Sequence, residues 1–117
     1  MGEGAQRVMV ERTKAKEFHL ELITPGDIKI HRDVESIIAP GSDGYLGVLA
    51  GHAPLITSLR EGKLSVRFDG QLKFLMIGPG YLEVTMEQVI LLTEYVRLSD
   101  EEREDLKTWA IKYKVSE

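Results

Sequence analysis

Short apolar alternations, separated by turn residues, limit the fold of this chain more than any other sequence feature. From Phe18 onward, apolar residues alternate with more polar ones, and similar runs recur to residue 93 at roughly ten-residue spacing. Asp69-Gly70, between two of these runs, is a strong signal for a two-residue β-hairpin turn. Regularly spaced short strands are typical of a β-sandwich or barrel. The prediction for most of the chain is therefore a mainly β domain.

Turn signals also predict where individual strands begin and end. One strand is expected over residues 34–39, stopped by Pro40-Gly41, and residues 41–47 are expected to form a glycine-punctuated loop. The apolar positions of the two strands that flank Asp69-Gly70 are Leu64, Val66 and Phe68 on the first strand, and Leu72, Phe74 and Met76 on the second.

The sequence after Arg97 has the character of a helix. Ser99 followed by Glu102 is a capping-box signature, and acidic residues fill the expected first turn. Lys112 and Lys114 suit the carboxyl end of such a helix. The prediction is an amphipathic helix of about four turns, which must dock its apolar side on the sandwich, on a partner or on a second copy. That apolar stripe consists of Leu106, Trp109, Ala110 and Tyr113.

These patterns divide the chain into three segments: an N-terminal extension over 1–17, a β-sandwich domain over 18–97 and a short helical segment over 98–117. The extension mixes basic and acidic residues and lacks the apolar core of a signal peptide. No apolar run approaches the roughly 20 residues of a membrane helix. We expect the protein to act where it is made, in a cytoplasm or an equivalent space.

The amino-acid composition excludes several classes of function. There are no cysteines, which excludes disulfides, thiolate zinc sites and cysteine nucleophiles. The formal net charge of −4 argues against nucleic acid as a partner, because phosphate binding needs a clustered basic surface.

Catalytic and metal-binding patterns are weak. The three histidines His19, His31 and His52 show no metal-ligand spacing, so no metal site is predicted. The acidic residues form no acid–base pair along the sequence, and the glycine-rich stretch 41–47 lacks the lysine of a phosphate loop. The isolated chain is therefore expected to bind partners without catalysing a reaction and without a cofactor.

The stretch from residue 39 to 55, APGSDGYLGVLAGHAPL, resembles the signature of the epsilon subunit of F-type ATP synthases. Residues 18–25 resemble the opening strand of that family, and residues 77–84 resemble its Gly-Gly-Phe-Leu-Glu-Val segment. The resemblance extends over residues 18 to 93, with the motifs in the family's order and spacing. It implies a ten-stranded β-sandwich, followed here by a short C-terminal helix.

The resemblance also implies a function. Members of that family are non-catalytic central-stalk subunits of proton-translocating ATP synthases, which bind the gamma subunit and the c-ring and couple their rotation to the catalytic head. The implied protein is monomeric when isolated and peripheral on the cytoplasmic face of a bacterial inner membrane, or on an equivalent matrix or stromal face. An adaptor of another complex that shares the sandwich remains the alternative.

Four residues of the motif are candidates for the partner interface. By the resemblance, Ser42 and Asp43 lie at the ring-facing edge, with Asp43 opposite basic groups of the ring loops, and His52 lies close by on the gamma-facing side. Tyr45 stands where the family usually has glutamate, so the expected charge is missing there. An acid opposite arginine at an interface contributes register and specificity more than affinity.

The C-terminal segment departs from the family. Many members end in a two-helix hairpin that can extend and inhibit ATP hydrolysis, whereas residues 98–117 have room for one helix, so inhibition is expected to be weak. Asp100 and Arg103 retain part of an ATP-binding motif found in some bacterial members. An ATP-responsive module is therefore a third reading, although helix capping also explains these acidic residues.

Overall fold

The computed structural model of the chain describes residues 16–112. These residues form eleven strands and one helix, α1 (Asp100–Trp109), which lies between the last two strands. In chain order the strands are β1 (Phe18–Thr24), β2 (Asp27–Val34), β3 (Ser36–Gly41), β4 (Gly44–Leu49), β5 (Leu55–Leu59), β6 (Gly62–Phe68), β7 (Gln71–Ile77), β8 (Gly80–Val84), β9 (Gln88–Thr93), β10 (Val96–Arg97) and β11 (Ile111–Lys112). The prediction of a mainly β fold with a short C-terminal helix is confirmed.

The strands form two halves joined at one point. The first half has the order β4-β3-β6-β7-β10, and the second has the order β5-β8-β9-β1-β2-β11. They meet where Gly41 of β3 pairs with Leu59 of β5. Most neighbouring strands are antiparallel, while β1 with β9 and β2 with β11 are parallel. Ten strands precede α1, as the resemblance implies.

One hydrophobic core receives side chains from both halves and from α1. Leu20 and Leu22 of β1 are fully buried, while Glu21 between them lies on the outer face. Because alternate side chains of a strand point to opposite faces, long strands such as β1 and β2 contribute alternate residues to this core. The largest fully buried side chains are Phe68, Leu20, Leu22, Ile30, Ile37, Leu64, Ile77, Leu82, Leu91, Val34, Val48 and Val66.

Helix α1 is shorter than the predicted four turns. Its capping box is confirmed: the Ser99 hydroxyl accepts the Glu102 amide, and the Glu102 carboxylate accepts the Ser99 amide. The helix ends at Trp109, because the chain then extends and pairs with β2, where the His31 amide donates to the Ala110 carbonyl at 2.8 Å. Lys112 therefore lies in β11 and not in the helix, and the remaining predicted helical residues, Tyr113 and Lys114, are outside the described range.

The helix docks on the sandwich. Leu106, Trp109 and Ala110 are buried in the shared core, and the Trp109 ring stacks on Phe68 with 5.0 Å between ring centroids. Of the three docking sites that the sequence left open for this helix, the structure shows the sandwich of its own chain. The N-terminal extension lies almost wholly outside the described residues.

Two predicted strand limits are wrong. The predicted strand over 34–39 is divided by a bend, so that Val34 ends β2 and Ser36 begins β3, while β3 continues through Pro40. The stretch 41–47 is not a loop, because most of it is extended chain in β4 that pairs with β3. Glycines that suggest turns in a sequence also occur in strands where two backbones approach closely.

The described part of the chain holds no helix long and apolar enough to cross a membrane.

Candidate functional site

The glycine-rich motif folds as the β3–β4 hairpin, with Ser42 and Asp43 at its tip. Gly41 pairs with Gly44 across the tip, and Gly44 has a φ of 132°, which L side chains rarely adopt. A Cβ added at Gly41 would lie 2.7 Å from the Gly44 carbonyl oxygen. The two glycines therefore allow a tight turn that leaves Ser42 and Asp43 exposed between them.

Hydrogen bonds hold this tip against the neighbouring β5 segment. The Ser42 amide donates to the Ser58 carbonyl at 3.1 Å, and the two hydroxyl groups are 2.6 Å apart. The Arg60 side chain donates to the Gly41 carbonyl through Nε at 3.2 Å. Asp43 is exposed, and within residues 16–112 it has no salt-bridge partner. The tip thus presents one uncompensated carboxylate on a constrained turn.

Tyr45 has a structural role beside the tip. Its ring lies under the Arg60 guanidinium, whose central carbon is 5.5 Å from the ring centroid. Its hydroxyl accepts a long hydrogen bond, 3.4 Å, from the Lys63 amide at the start of β6. The phenol that replaces the expected glutamate therefore links β4 to the β5–β6 turn, although half of the side chain remains exposed.

His52 does not lie beside Asp43. The turn that contains it follows the far end of β4, where the His52 amide donates to the Leu49 carbonyl at 3.1 Å and Nδ1 donates to the Ala53 carbonyl at 2.6 Å. The six residues of β4 separate the two positions by about 20 Å. The structure brings Ser42, Asp43 and Tyr45 together and leaves His52 apart.

A large apolar surface on the first half was missed in the sequence. In the register of β4, β3, β6 and β7, alternate residues share one outward face. Ser65 lies on this face and is covered by Ile38 and Phe74 on either side of it. The exposed large side chains of this surface, here called the outer apolar face, are Ile38, Tyr45, Leu49, Leu72, Phe74 and Met76.

Three of these residues are the apolar positions that the sequence pattern singled out on the strand after Asp69-Gly70. In β7, however, the residues that point inward are Leu75 and Ile77. Leu75 pairs with buried Leu64, whereas Phe74 pairs with Ser65. Both faces of β7 are apolar, so its alternation does not indicate which face is buried. The excess of apolar residues, on both faces of β7, is the sequence signal that could have indicated the outer apolar face.

Two groups outside the hairpin tip have perturbed acidities. The Tyr95 hydroxyl donates to the Glu61 carboxylate in the β5–β6 turn, and this hydrogen bond raises the pKa of Tyr95. A hydrogen bond and the nearby positive charge of Lys29 lower the pKa of Asp27. Both groups are ion-pair or hydrogen-bond partners at the surface and do not form a catalytic pair.

Asp100 and Arg103, the candidate ATP contacts, pair with each other. The Arg103 guanidinium lies 3.1 Å from the Asp100 carboxylate within the first turn of α1. An exposed pair at this spacing is a common helix-surface interaction. ATP binding by these residues stays a prediction.

One group of side chains has a geometry suited to a metal ion. His19, Glu21 and His31 lie on adjacent strands and place one potential ligand atom each within 4.8 Å of the others. Their separation along the chain concealed this group, because a ligand set assembled across two strands has no characteristic sequence spacing.

Comparison with known proteins identifies the sandwich. The family model described as "ATP synthase, Delta/Epsilon chain, beta-sandwich domain" matches residues 17–98. "ATP synthase epsilon chain 2" of Syntrophotalea carbinolica is 38% identical over 86 residues, which cover 74% of this chain and 62% of the relative. "ATP synthase epsilon chain" of Geotalea daltonii is 40% identical over 87 residues, which cover 74% and 63%. The chain therefore spans less than two thirds of the length of these relatives.

Solved structures share the fold. A chain in the cryo-EM structure of the Euglena gracilis mitochondrial ATP synthase (OSCP, F1 and c-ring) aligns over 74% of this chain and 56% of its own length, with a TM-score of 0.66 and 23% identity. A chain of the Tetrahymena thermophila mitochondrial ATP synthase central stalk and c-ring aligns over 73% and 69%, with a TM-score of 0.60 and 17% identity. Because the family model covers all ten strands that precede α1, the chain belongs to the ATP synthase Delta/Epsilon family through its β-sandwich domain.

Proposed function

We propose that this chain is a non-catalytic rotor subunit in the central stalk of a proton-translocating F-type ATP synthase, where it couples c-ring rotation to the gamma subunit. The observation that carries the proposal is the family match over residues 17–98. The relatives are named epsilon chains, and the second structural neighbour comes from a central stalk and c-ring assembly. The chain would then be monomeric when isolated and peripheral to the membrane through its partners.

The outer apolar face is the proposed contact for the gamma subunit. Contiguous exposed apolar surface on a small domain usually marks a protein interface. Phe74 at its centre is 47% exposed, and Leu49 at its edge is 66% exposed. The Lys63 ammonium lies 4.5 Å from the centre of the Phe74 ring, which places a positive charge within the apolar surface. The proposed partner surface is therefore apolar with at least one acidic group.

The hairpin tip is the proposed contact for the c-ring. Asp43 is exposed on a turn that is held by hydrogen bonds from Ser42 and Arg60. A fixed carboxylate opposite basic loop residues would set the register of the subunit on the ring. We assign His52 to a separate contact on the gamma side, since β4 separates it from the tip.

Inhibition of ATP hydrolysis by α1 is proposed to be weak. The helix would have to leave the sandwich to reach the catalytic head, and it is held there by buried Leu106 and Trp109. The Arg32 side chain also donates to the Trp109 carbonyl at 3.0 Å. Release would expose these apolar side chains to water and break this hydrogen bond, which favours the docked state.

Binding to a cognate gamma subunit tests the proposal. We expect the two purified proteins to form a one-to-one complex on size-exclusion chromatography, and we expect Phe74→Glu to weaken it by at least about tenfold, because a charge would be buried at the interface. Ile28→Glu is a matched control, since Ile28 is 51% exposed on the second half of the sandwich. Failure to form a complex contradicts the proposed function, and equal weakening by both substitutions contradicts the proposed surface.

A further inference from the structure

Four polar side chains form a compact patch on the outer side of the β1–β2 hairpin. In the strand register, His19 pairs with Asp33 and Glu21 pairs with His31. All four side chains point away from the core, since the buried residues of these strands alternate with them. The side chains of His19, Glu21 and His31 are only 24–28% exposed. These three side chains are therefore partly shielded from water, while the Asp33 side chain is 47% exposed.

We propose that His19, Glu21 and His31 form a binding site for a first-row divalent transition metal ion, with zinc as the best fit. The atoms concerned are His19 Nε2, His31 Nδ1 and Glu21 Oε2. The two nitrogens are 3.2 Å apart, and the carboxylate oxygen lies 3.2 Å from His31 Nδ1 and 3.6 Å from His19 Nε2. The three atoms thus define a nearly equilateral triangle.

The size of this triangle matches zinc. Zinc binds imidazole nitrogen and carboxylate oxygen at about 2.0–2.2 Å with tetrahedral geometry, so neighbouring ligand atoms lie about 3.3–3.5 Å apart. An ion placed over the triangle would reach all three atoms with little movement of the strands. Two imidazoles and one carboxylate are also a ligand set that zinc uses, with the fourth position left to water. Calcium and magnesium prefer oxygen-only sites.

Asp33 provides the outer support that such sites commonly have. Its carboxylate lies 3.2 Å from His19 Nδ1, which donates to it. The proton held on Nδ1 leaves the Nε2 lone pair directed at the proposed ion, as in other carboxylate–histidine–zinc arrangements. Glu21 and Asp33 together supply two negative charges, which balance the charge of a divalent cation.

The site lies between apolar neighbours on the same face. Ile90 of β9 pairs with Glu21, and Ile111 of β11 pairs with His31. Apolar groups around a metal site limit water access and strengthen the interaction between ion and ligands. The site is also separate from the outer apolar face, which belongs to the other half of the sandwich.

Metal titration of the isolated, untagged chain tests the proposal without any partner subunit. The full sequence has three histidines and no cysteine, so few competing sites exist. We expect Zn²⁺ to bind one-to-one in isothermal titration calorimetry, and Co²⁺ to give the visible absorption of a tetrahedral ion. In ¹H–¹⁵N spectra of the imidazoles, zinc should shift the His19 and His31 signals and leave the His52 signals unchanged. Absence of stoichiometric binding, or a shift at His52 alone, overturns the assignment.

Substitutions distinguish the proposed metal ligands from Asp33, which is proposed to orient one of them. His31→Gln and Glu21→Gln should each weaken zinc binding by more than about tenfold, and Asp33→Asn should weaken it by about 10–100-fold with one-to-one binding retained. His52→Gln is the matched control and should bind zinc like the parent chain. Circular dichroism establishes that each variant is folded. Unchanged zinc affinity in both His31→Gln and Glu21→Gln contradicts the proposal.

Discussion

Arg32 shows how one polar residue can occupy an inward strand position. It lies between Ile30 and Val34 on the core side of β2 and is only 5% exposed. Its guanidinium carbon lies 3.9 Å from the centre of the Phe68 ring, and Nη1 donates to the Trp109 carbonyl at the end of α1. Cations are favourable near helix carboxyl ends, and buried charges need such partners. Arg32 thereby joins β2 to the docked helix.

Removal of this side chain should destabilise the protein. We expect Arg32→Ala to lower the free energy of unfolding by about 2–4 kcal/mol, because the Trp109 carbonyl loses a buried donor and Phe68 loses its cation contact. Arg32→Lys should cost less, since it retains one donor without the planar fork. Urea unfolding followed by fluorescence of Trp109, the single tryptophan, measures both variants.

The exposed arginine of β6 provides the comparison for this experiment. Arg67→Ala should change stability by less than about 0.5 kcal/mol, because Arg67 is exposed. An Arg32→Ala variant as stable as Arg67→Ala would contradict the role assigned to Arg32. The alternation of β2 could have placed Arg32 on the inward face from the sequence. Its hydrogen-bond partners, Asp69 and Trp109, are 37 and 77 residues away and could not have been predicted in that way.

Hairpins whose turn residues give a strong signal could be predicted from the sequence. Asp69 and Gly70 both have positive φ values, 49° and 72°, which are the values that an Asp-Gly hairpin turn requires. The β3–β4 hairpin was not predictable in the same way, because its glycines suggested a loop. There the pairing of Gly41 with Gly44 depends on a close approach of two backbones, which a sequence pattern does not reveal.

The end of α1 was decided by its neighbours. Its start is encoded by the Ser99–Glu102 capping box, which is local and therefore predictable. Its end depends on the edge of β2, which offers the His31 amide to the Ala110 carbonyl. The apolar stripe of the sequence continues past this point, so it does not indicate that pairing with β2 ends the helix.

Loss of the helix cap should loosen the docked helix. We expect Ser99→Ala to lower the free energy of unfolding by about 1 kcal/mol, because the Glu102 amide loses its acceptor. Lys107→Ala, which removes an exposed pair with Glu104, should cost less than about 0.5 kcal/mol. Far-ultraviolet circular dichroism and Trp109 fluorescence during urea unfolding give both values. Equal stability losses in the two variants would argue against a capping contribution.

The sandwich as a whole separates its proposed contacts. The hairpin tip lies at one end of β4 and the turn with His52 at the other, while the outer apolar face extends across four strands between them. The proposed metal site belongs to the other half of the sheet. A rigid domain with contacts at several places is suited to transmitting force between partners, and the shared core supplies that rigidity.

A reversed charge at the tip tests the proposed coupling role in an assembled ATP synthase. We expect Asp43→Lys to reduce ATP-driven proton pumping several-fold in membrane vesicles, because it would place like charges together at the ring contact. Glu87→Lys reverses an exposed charge in the β8–β9 turn, away from the tip, and should leave pumping near the parent level. Pumping by Asp43→Lys that matches that of Glu87→Lys would contradict the role proposed for Asp43.

Local patterns were sufficient for the strand-rich class, the capped helix start, the Asp69-Gly70 hairpin and the family resemblance, since each depends on residues close together in the chain. The tertiary structure decided which face of β7 is buried, where α1 ends, that Arg32 joins β2 to Trp109, and that His19, Glu21 and His31 meet. These features depend on pairing between distant segments. A one-residue change of strand register would exchange the buried and exposed faces, so only the folded chain determines them.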